Sequence, residues 1–267
     1  SHHSQEFLTP SEAKDVIEII LYNGFVARTL AVSNPQDLEF RDLNRPVTKS
    51  THKISIRLAK ILINISGAKQ GKTLLVPYSG LGTIAQEASI LGLDVIATDD
   101  QEFFVEATKK NLAWIKKQYD TTNKVKVLKA DIKNLSKQVK KVDFVVTEPY
   151  MGPALKFTPS EGEAKKTLKK LLPVYEKLIT ELGKVTRDTA VIIAPKLKAK
   201  SKKEFNLLLP PLFKEAGFKF DEPLIYAPTN ARMIREIWIL KKIWPRRNLY
   251  KPPKIHRNTW EESKPHK

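Results

Sequence analysis

Between Ile54 and Ile65 the apolar residues Ile54, Leu58, Ile61, Leu62 and Ile65 recur at three- and four-residue steps, which predicts a helix with one apolar stripe, closed by Gly67. Downstream the period changes repeatedly. The aliphatic runs TLLVPY, DVIATD, KVKVLKA, VDFVVTEPY and AVIIAP read as strands. They alternate with the helical segments TIAQEASILG and EFFVEATKKNLAWIKKQY, a short polar helix, and a lysine-faced helix from Glu161 to Val185 that carries Pro173. Lys202 to Gly217 reads as a helix broken at Pro210-Pro211, and FKFDEPLIYA and REIWILKKI read as two last strands forming an antiparallel edge hairpin. At the other end, Thr9-Pro10-Ser11-Glu12 caps an amphipathic helix through Leu21, and Gly24 ends it before the strand-like FVARTLAV. Repeated strand-helix-strand units wind right-handed, so the expected fold is α/β with a mostly parallel, doubly wound, Rossmann-like sheet and that C-terminal hairpin. The expected organisation is a tag remnant SHHS at 1–4, a small αβ extension over 5–40, one main domain over 41–243 and a basic tail over 244–267.

The 267 residues suffice for one large domain with an extension, and composition narrows the chemistry. With 47 Lys and Arg against 29 Asp and Glu, the formal net charge is +18, which favours a polyanionic partner such as nucleic acid. The chain has no cysteine, which excludes disulfides, thiolate catalysis and cysteine zinc sites and is compatible with a cytoplasmic setting. His52, His256 and His266 show no metal-ligand spacing, so no catalytic metal is expected. No apolar run approaches the ~18 residues of a membrane span, and no membrane association is expected.

Ligands of such sheets bind beyond the carboxyl ends of the strands, so the residues there are the candidate site. The first strand ends in Pro77-Tyr78-Ser79-Gly80-Leu81-Gly82-Thr83, whose glycines let backbone approach a ligand. The next ends in Thr98-Asp99-Asp100, at the spacing from which a carboxylate reaches ribose hydroxyls. Ala130-Asp131 and Thr147-Glu148-Pro149-Tyr150 end the two after that. Each has an ordinary structural reading, as a turn, a helix cap or a loop. One glycine turn followed by acids at successive strand ends is the arrangement that holds an adenosine ligand. Ala85 stands where a dinucleotide turn requires its third glycine, which disfavours NAD and leaves S-adenosylmethionine.

From about Phe40 to Lys242 these residues resemble the class I S-adenosylmethionine-dependent RNA methylases, specifically the tRNA guanine-N2 methyltransferases acting at position 10. FRDLNRP with ISIRLAKILINI is similar to that family's lead-in, and PYSGLGTIAQEA to its loop D-P-F-C-G-S/T-G-T-I-x-x-E-A. VIATDD and KADIKNL resemble its next two motifs, VDFVVTEPYMG resembles D-A-I-V/L-T-D-P-P-Y-G, and MIREIWILKK its closing R-E-I strand. The resemblance implies that Pro77, Tyr78, Gly80, Gly82 and Thr83 shape the methionine side of an S-adenosylmethionine pocket. It implies that Asp99, next to Asp100, takes the ribose and that Asp131 reaches the adenine amine. Glu148, Pro149 and Tyr150 would face a target guanine in tRNA, Glu148 as the acceptor for its amine.

The chain departs from the family pattern at Val76, where the loop's first acid is expected, at Leu81, and at Glu148, where the family has aspartate. Aligned from Thr147, Met151 takes the stacking aromatic's place; aligned from Pro149-Tyr150, Tyr150 keeps it. Members of the family usually carry an N-terminal THUMP region for RNA capture, and only about forty residues precede Arg41 here. RNA capture would then come from a partner or from the acid-free run Lys241 to Arg257, which interleaves Trp244 and Tyr250 with Arg246, Arg247, Lys251 and Lys254. The rival expectations are a catalytically weak, methyltransferase-like RNA-binding subunit, motivated by Val76 and Glu148, and a DNA amino-methyltransferase using the same pocket.

Overall fold

The computed structural model describes residues 10–12, 16–48, 54–227 and 231–243. The tag-like start and the tail from Trp244 onward, with most of the basic run singled out above, lie outside the described residues.

The helix expected through Leu21 is instead a strand over its last residues. β1 (Ile19–Tyr22) pairs antiparallel with β2 (Phe25–Arg28). The physical reason is Asn23-Gly24, both left-handed at φ 47° and 82°, which makes the two-residue turn that matches strand twist, flanked by β-branched and aromatic residues. Next comes α1 (Pro35–Asn44), an element the apolar pattern does not show. Asn34 caps it by accepting from the Asp37 N–H at 3.0 Å, and Pro35 occupies its first turn. α2 (Ile56–Ser66) follows, capped by Ser55 and ended by Gly67 at φ 77°.

The central sheet is then laid down by β3 (Thr73–Pro77), α3 (Thr83–Ile90), β4 (Asp94–Asp99), α4 (Glu102–Tyr119), β5 (Val125–Lys129), a short 3-10 turn (Ile132–Asn134) and α5 (Leu135–Gln138). β6 (Val142–Thr147), α6 (Glu161–Val185) and β7 (Thr186–Lys198) complete its parallel part. The expected helix from Lys202 splits. Lys202 turns left-handed at φ 67°, β8 (Glu204–Asn206) folds back antiparallel onto the end of β7, and α7 (Pro210–Glu215) starts only at the proline pair. Proline lacks an N–H and is tolerated in a helix's first turn, so the pair begins that helix rather than breaking it. β9 (Phe218–Phe220) and β10 (Leu224–Tyr226) are the two halves of the expected strand, separated at Asp221-Glu222-Pro223. Both pair antiparallel with β11 (Met233–Lys242), which lies between them and β7.

The strand order is β10-β11-β7-β6-β3-β4-β5, with all pairs from β7 to β5 parallel. The chain moves outward from β3 through β4 to β5, then returns to the other side of β3 with β6. The switch point therefore lies between β3 and β6, where open α/β sheets bind ligands. Alternation along the buried strands splits the core in two. Leu74, Val76, Phe144, Val146, Val191 and Ile193 face α2 and α3, whereas Leu75, Val145, Ala190 and Ile192 face α6. Val76 is thus a core residue, 1% exposed and paired with Ala97.

Candidate active site

Sequence and topology bring the ends of β3, β4, β5 and β6 to one edge of the sheet. After Pro77 the chain turns through Tyr78 at φ 51°, Gly80 at φ 55° and Gly82 at φ 79° before entering α3. The turn is fastened from three directions. The Gly80 N–H donates to Asp99 Oδ2 at 3.0 Å, the Thr108 hydroxyl donates to the Gly80 carbonyl at 2.9 Å, and Asn111 Nδ2 donates to the Leu81 carbonyl at 2.9 Å. The Leu81 side chain packs with Phe104, Ala107 and Val47. Gly82 has to be glycine on two counts: its φ is left-handed, and an added Cβ would stand 3.1 Å from the Thr108 side chain. We expect Gly82→Ala to destabilise the fold by roughly 1–2 kcal/mol from backbone strain alone, read as a lower urea midpoint with unchanged slope.

Asp99 is 6% exposed and also accepts from the Gln101 N–H at 3.1 Å. Burial pushes its carboxyl upward, and the two backbone donors oppose that shift. It is therefore a latch that holds two loops together. Asp100 is exposed beside it. Asp131 caps the 3-10 turn by accepting from the Lys133 N–H at 2.9 Å and is exposed at the end of β5. Burial, followed by the charges of Asp100, Asp131 and Asp99, pushes the Tyr78 phenol well above its ordinary range. Tyr78 therefore stays neutral at working pH. Thr83 is placed differently: it is buried and its hydroxyl accepts from Arg45 Nη1 at 2.8 Å, so it seats the start of α3.

Across the switch point, the Thr147 hydroxyl donates to the Pro77 carbonyl at 2.7 Å, which ties the ends of β6 and β3 together. Glu148 follows, its Oε1 accepting from Arg235 Nε at 2.7 Å, with side-chain exposures of 16% and 27% for the carboxylate and the guanidinium. Pro149 is buried, Tyr150 is 53% exposed, and Met151 packs against the core with its sulfur 3.4 Å from the Tyr175 hydroxyl. The aromatic ring open to a ligand is therefore Tyr150. Tyr175 is fully buried and donates to the Ile193 carbonyl at 3.1 Å. Burial first, and then the nearby Glu148 carboxylate and Tyr78 phenol, raises its phenol.

Chemically, the edge offers a glycine turn, a buried carboxylate ending β4 and a half-buried one ending β6 on either side of β3, neutral tyrosines and one accessible ring. An adenosine ligand with a positively charged centre fits that donor and acceptor set: carboxylates for hydroxyls and amines, open space at Gly80 and anionic surroundings for the cation. Arg235, Thr108 and Asn111 carry no assignment from sequence alone. The last two are visible as polar interruptions, one turn apart, of the apolar face of α4. Arg235 lies in the quoted R-E-I stretch, but its partner is set by strand order.

A family model described as RMKL-like, methyltransferase domain matches residues 44–203, more than half of the chain. The chain is similar to the tRNA (guanine(10)-N2)-dimethyltransferase of Methanothermobacter thermautotrophicus, 35% identical over 99 residues, which are 37% of this chain and 28% of that protein. It is also similar to the tRNA (guanine(10)-N2)-dimethyltransferase of Methanocaldococcus jannaschii, 30% identical over 167 residues, which are 59% of this chain and 45% of that protein. The matched region thus spans less than half the length of either relative. Among solved structures, TrmN from Thermus thermophilus superposes with a TM-score of 0.54 at 18% identity, covering 85% of this chain and 59% of that one, a likeness of fold.

Proposed function

The chain belongs to the RMKL-like, methyltransferase domain family, and on that premise we propose that it is an S-adenosylmethionine-dependent tRNA methyltransferase acting on the N2 amine of guanosine at position 10. The observation that carries this reading is the placement of Glu148 across the switch point from the Tyr78–Gly82 turn, with Tyr150 exposed beside it. The two relatives named for this reaction support the choice of substrate. The cytoplasm is the expected setting. RNA capture is expected to be shared with a THUMP-type region or a partner subunit.

When bound, S-adenosylmethionine would supply an electrophilic methyl group on a sulfonium. Gly80 and Gly82 would let the backbone approach it, Tyr78 would line the methionine side, Asp99 and Asp100 would take the ribose, and Asp131 the adenine amine. An exocyclic guanine amine is a poor nucleophile because its lone pair is delocalised into the ring. Glu148, accepting one amine proton, would favour the pyramidal nitrogen that can attack, and Tyr150 would stack on the extruded base. Glu148 would take the proton that the amine sheds on methylation and release it to water. Alignment of amine and methyl supplies much of the remaining acceleration.

Arg235 would act through Glu148, fixing the carboxylate's rotamer. Arg235→Ala is expected to lower kcat roughly a hundredfold while leaving cofactor affinity within a few-fold, as measured by single-turnover transfer and calorimetry. A substrate panel tests the reading: labelled methyl should enter unmodified tRNA transcripts and not duplex DNA. Transfer to adenine in duplex DNA would identify a DNA amino-methyltransferase. Tight tRNA binding with no cofactor affinity would identify an RNA-binding subunit, with the apolar Val76 in place of an acid as its mark.

A further inference from the structure

The loop between β6 and α6 and the first half of α6 enclose two adjoining clefts. One, of about 370 Å3, is lined by Tyr150, Lys166, Lys170, Leu171 and Val174. The other, of about 500 Å3, is lined by Lys156, Phe157 and Lys200. Glu163 and Thr167 line both, so the clefts form one trough. Its walls combine cations with exposed rings, since Phe157 is 78% exposed and Tyr150 53%.

The acids nearby are used internally. Glu163 accepts from the Ser160 N–H at 2.7 Å and from its hydroxyl at 2.8 Å in a capping box, and Glu161 holds Ser201 and Lys203. Lys166 and Lys170 stand four residues apart, so both project from one face of α6 into the same cleft. The trough begins at Tyr150, two residues past Glu148. Arg232 fastens one of its lining residues, its Nη1 donating to the Leu155 carbonyl at 3.0 Å.

We infer that this trough holds the RNA strand flanking the target nucleotide, with Lys166, Lys170, Lys156 and Lys200 against phosphates and Phe157 stacked on a neighbouring base. The inference rests on the reading of the strand ends as an RNA-methylating site. It adds a grip beside that site, which offsets the cost of lifting the base from its stack. The occupant follows from charge and ring chemistry together: ammonium groups at a helical repeat suit a phosphate backbone, and an aromatic ring at a loop tip suits the face of any base.

Fluorescence anisotropy with an unmodified tRNA transcript over a salt series tests it. The variants are K166E/K170E, Phe157→Ala, and K116E/K117E, a pair of exposed lysines in the last turn of α4 that carries the same charge change. At about 0.1 M salt both trough variants are expected to weaken binding roughly tenfold or more. The lysine pair should also lower the slope of log K against log salt by about two, one for each lost phosphate contact, while the α4 pair stays within about threefold of wild type. Unchanged affinity in the trough variants, equal losses in the α4 pair, or a wild type that does not bind tRNA would each overturn the inference. S-adenosylmethionine titrated into the same proteins separates the two readings. Cofactor binding that survives in a chain whose trough variants bind tRNA normally removes only the trough. Trough-dependent tRNA binding in a chain without cofactor affinity removes only the methylation.

Discussion

Glu148→Ala is expected to slow methyl transfer by about 10²–10⁴-fold with S-adenosylmethionine affinity nearly unchanged, the magnitude of a lost general base in contact with the reacting nitrogen. The carboxylate ends β6 at the switch point, and its Oε1 is already held by Arg235 Nε. Oε2 accepts no hydrogen bond among the described residues and is left for the amine. The same geometry makes a sharper statement about Glu148→Gln. A guanidinium only donates, so Arg235 would draw the amide oxygen to itself and turn the NH2 toward the substrate amine, donor facing donor. The isosteric variant should therefore be about as slow as the alanine variant. Rates for the two variants within about tenfold of each other, both far below wild type, are the expected result of single-turnover assays; a nearly active glutamine variant would mean that the carboxylate does not receive the proton.

Arg41→Ala is expected to destabilise the fold by about 3–5 kcal/mol, because it strands a buried charge. The guanidinium meets Glu87 in a two-pronged pair, Nε to Oε1 at 2.9 Å and Nη2 to Oε2 at 3.0 Å, with the two residues 3% and 2% exposed. Arg41 also reaches Asp37 and Tyr119, so α1, α3 and the end of α4 share one brace. Glu87 lies four residues beyond Thr83, so the alanine variant should also loosen the start of α3 and with it the glycine turn. Replacing both members by apolar residues, Arg41→Met with Glu87→Leu, removes the stranded charge and should recover most of the loss. Urea denaturation of the single and double variants checks both statements; a single variant as stable as wild type would show that the pair contributes little.

Helices with a strong apolar stripe are legible from local sequence. α2, α4 and α6 each carry an apolar stripe at helical spacing, and their bounds follow from it and from residues such as Gly67. The parallel strands were legible as short aliphatic runs because both their faces are buried. Locally ambiguous stretches were not. Ile19–Tyr22 carries apolar residues that suit a helix or a strand, and the Asn23-Gly24 turn decides for the strand. α1 has a weak apolar stripe, and its strongest mark is the Asn34-Pro35 start. β8 depends on the left-handed turn at Lys202 and on the long β7 edge that receives it. At the strand ends, the sequence was enough to gather Tyr78, Asp99, Asp131 and Glu148, because sheet order alone brings them to one edge. Arg235 could not be paired with Glu148 in the same way, since the contact spans β7 and exists only once β11 has been inserted beside it.

The most direct measurement is to incubate the protein with S-adenosylmethionine labelled in its methyl group and an unmodified tRNA transcript, then digest the RNA to nucleosides. Label is expected in N2-methylguanosine, alone or with its dimethyl form, and should be lost when the guanosine at position 10 is replaced. Label in any other nucleoside, or none although the cofactor binds and the tRNA is held, would contradict the proposed reaction.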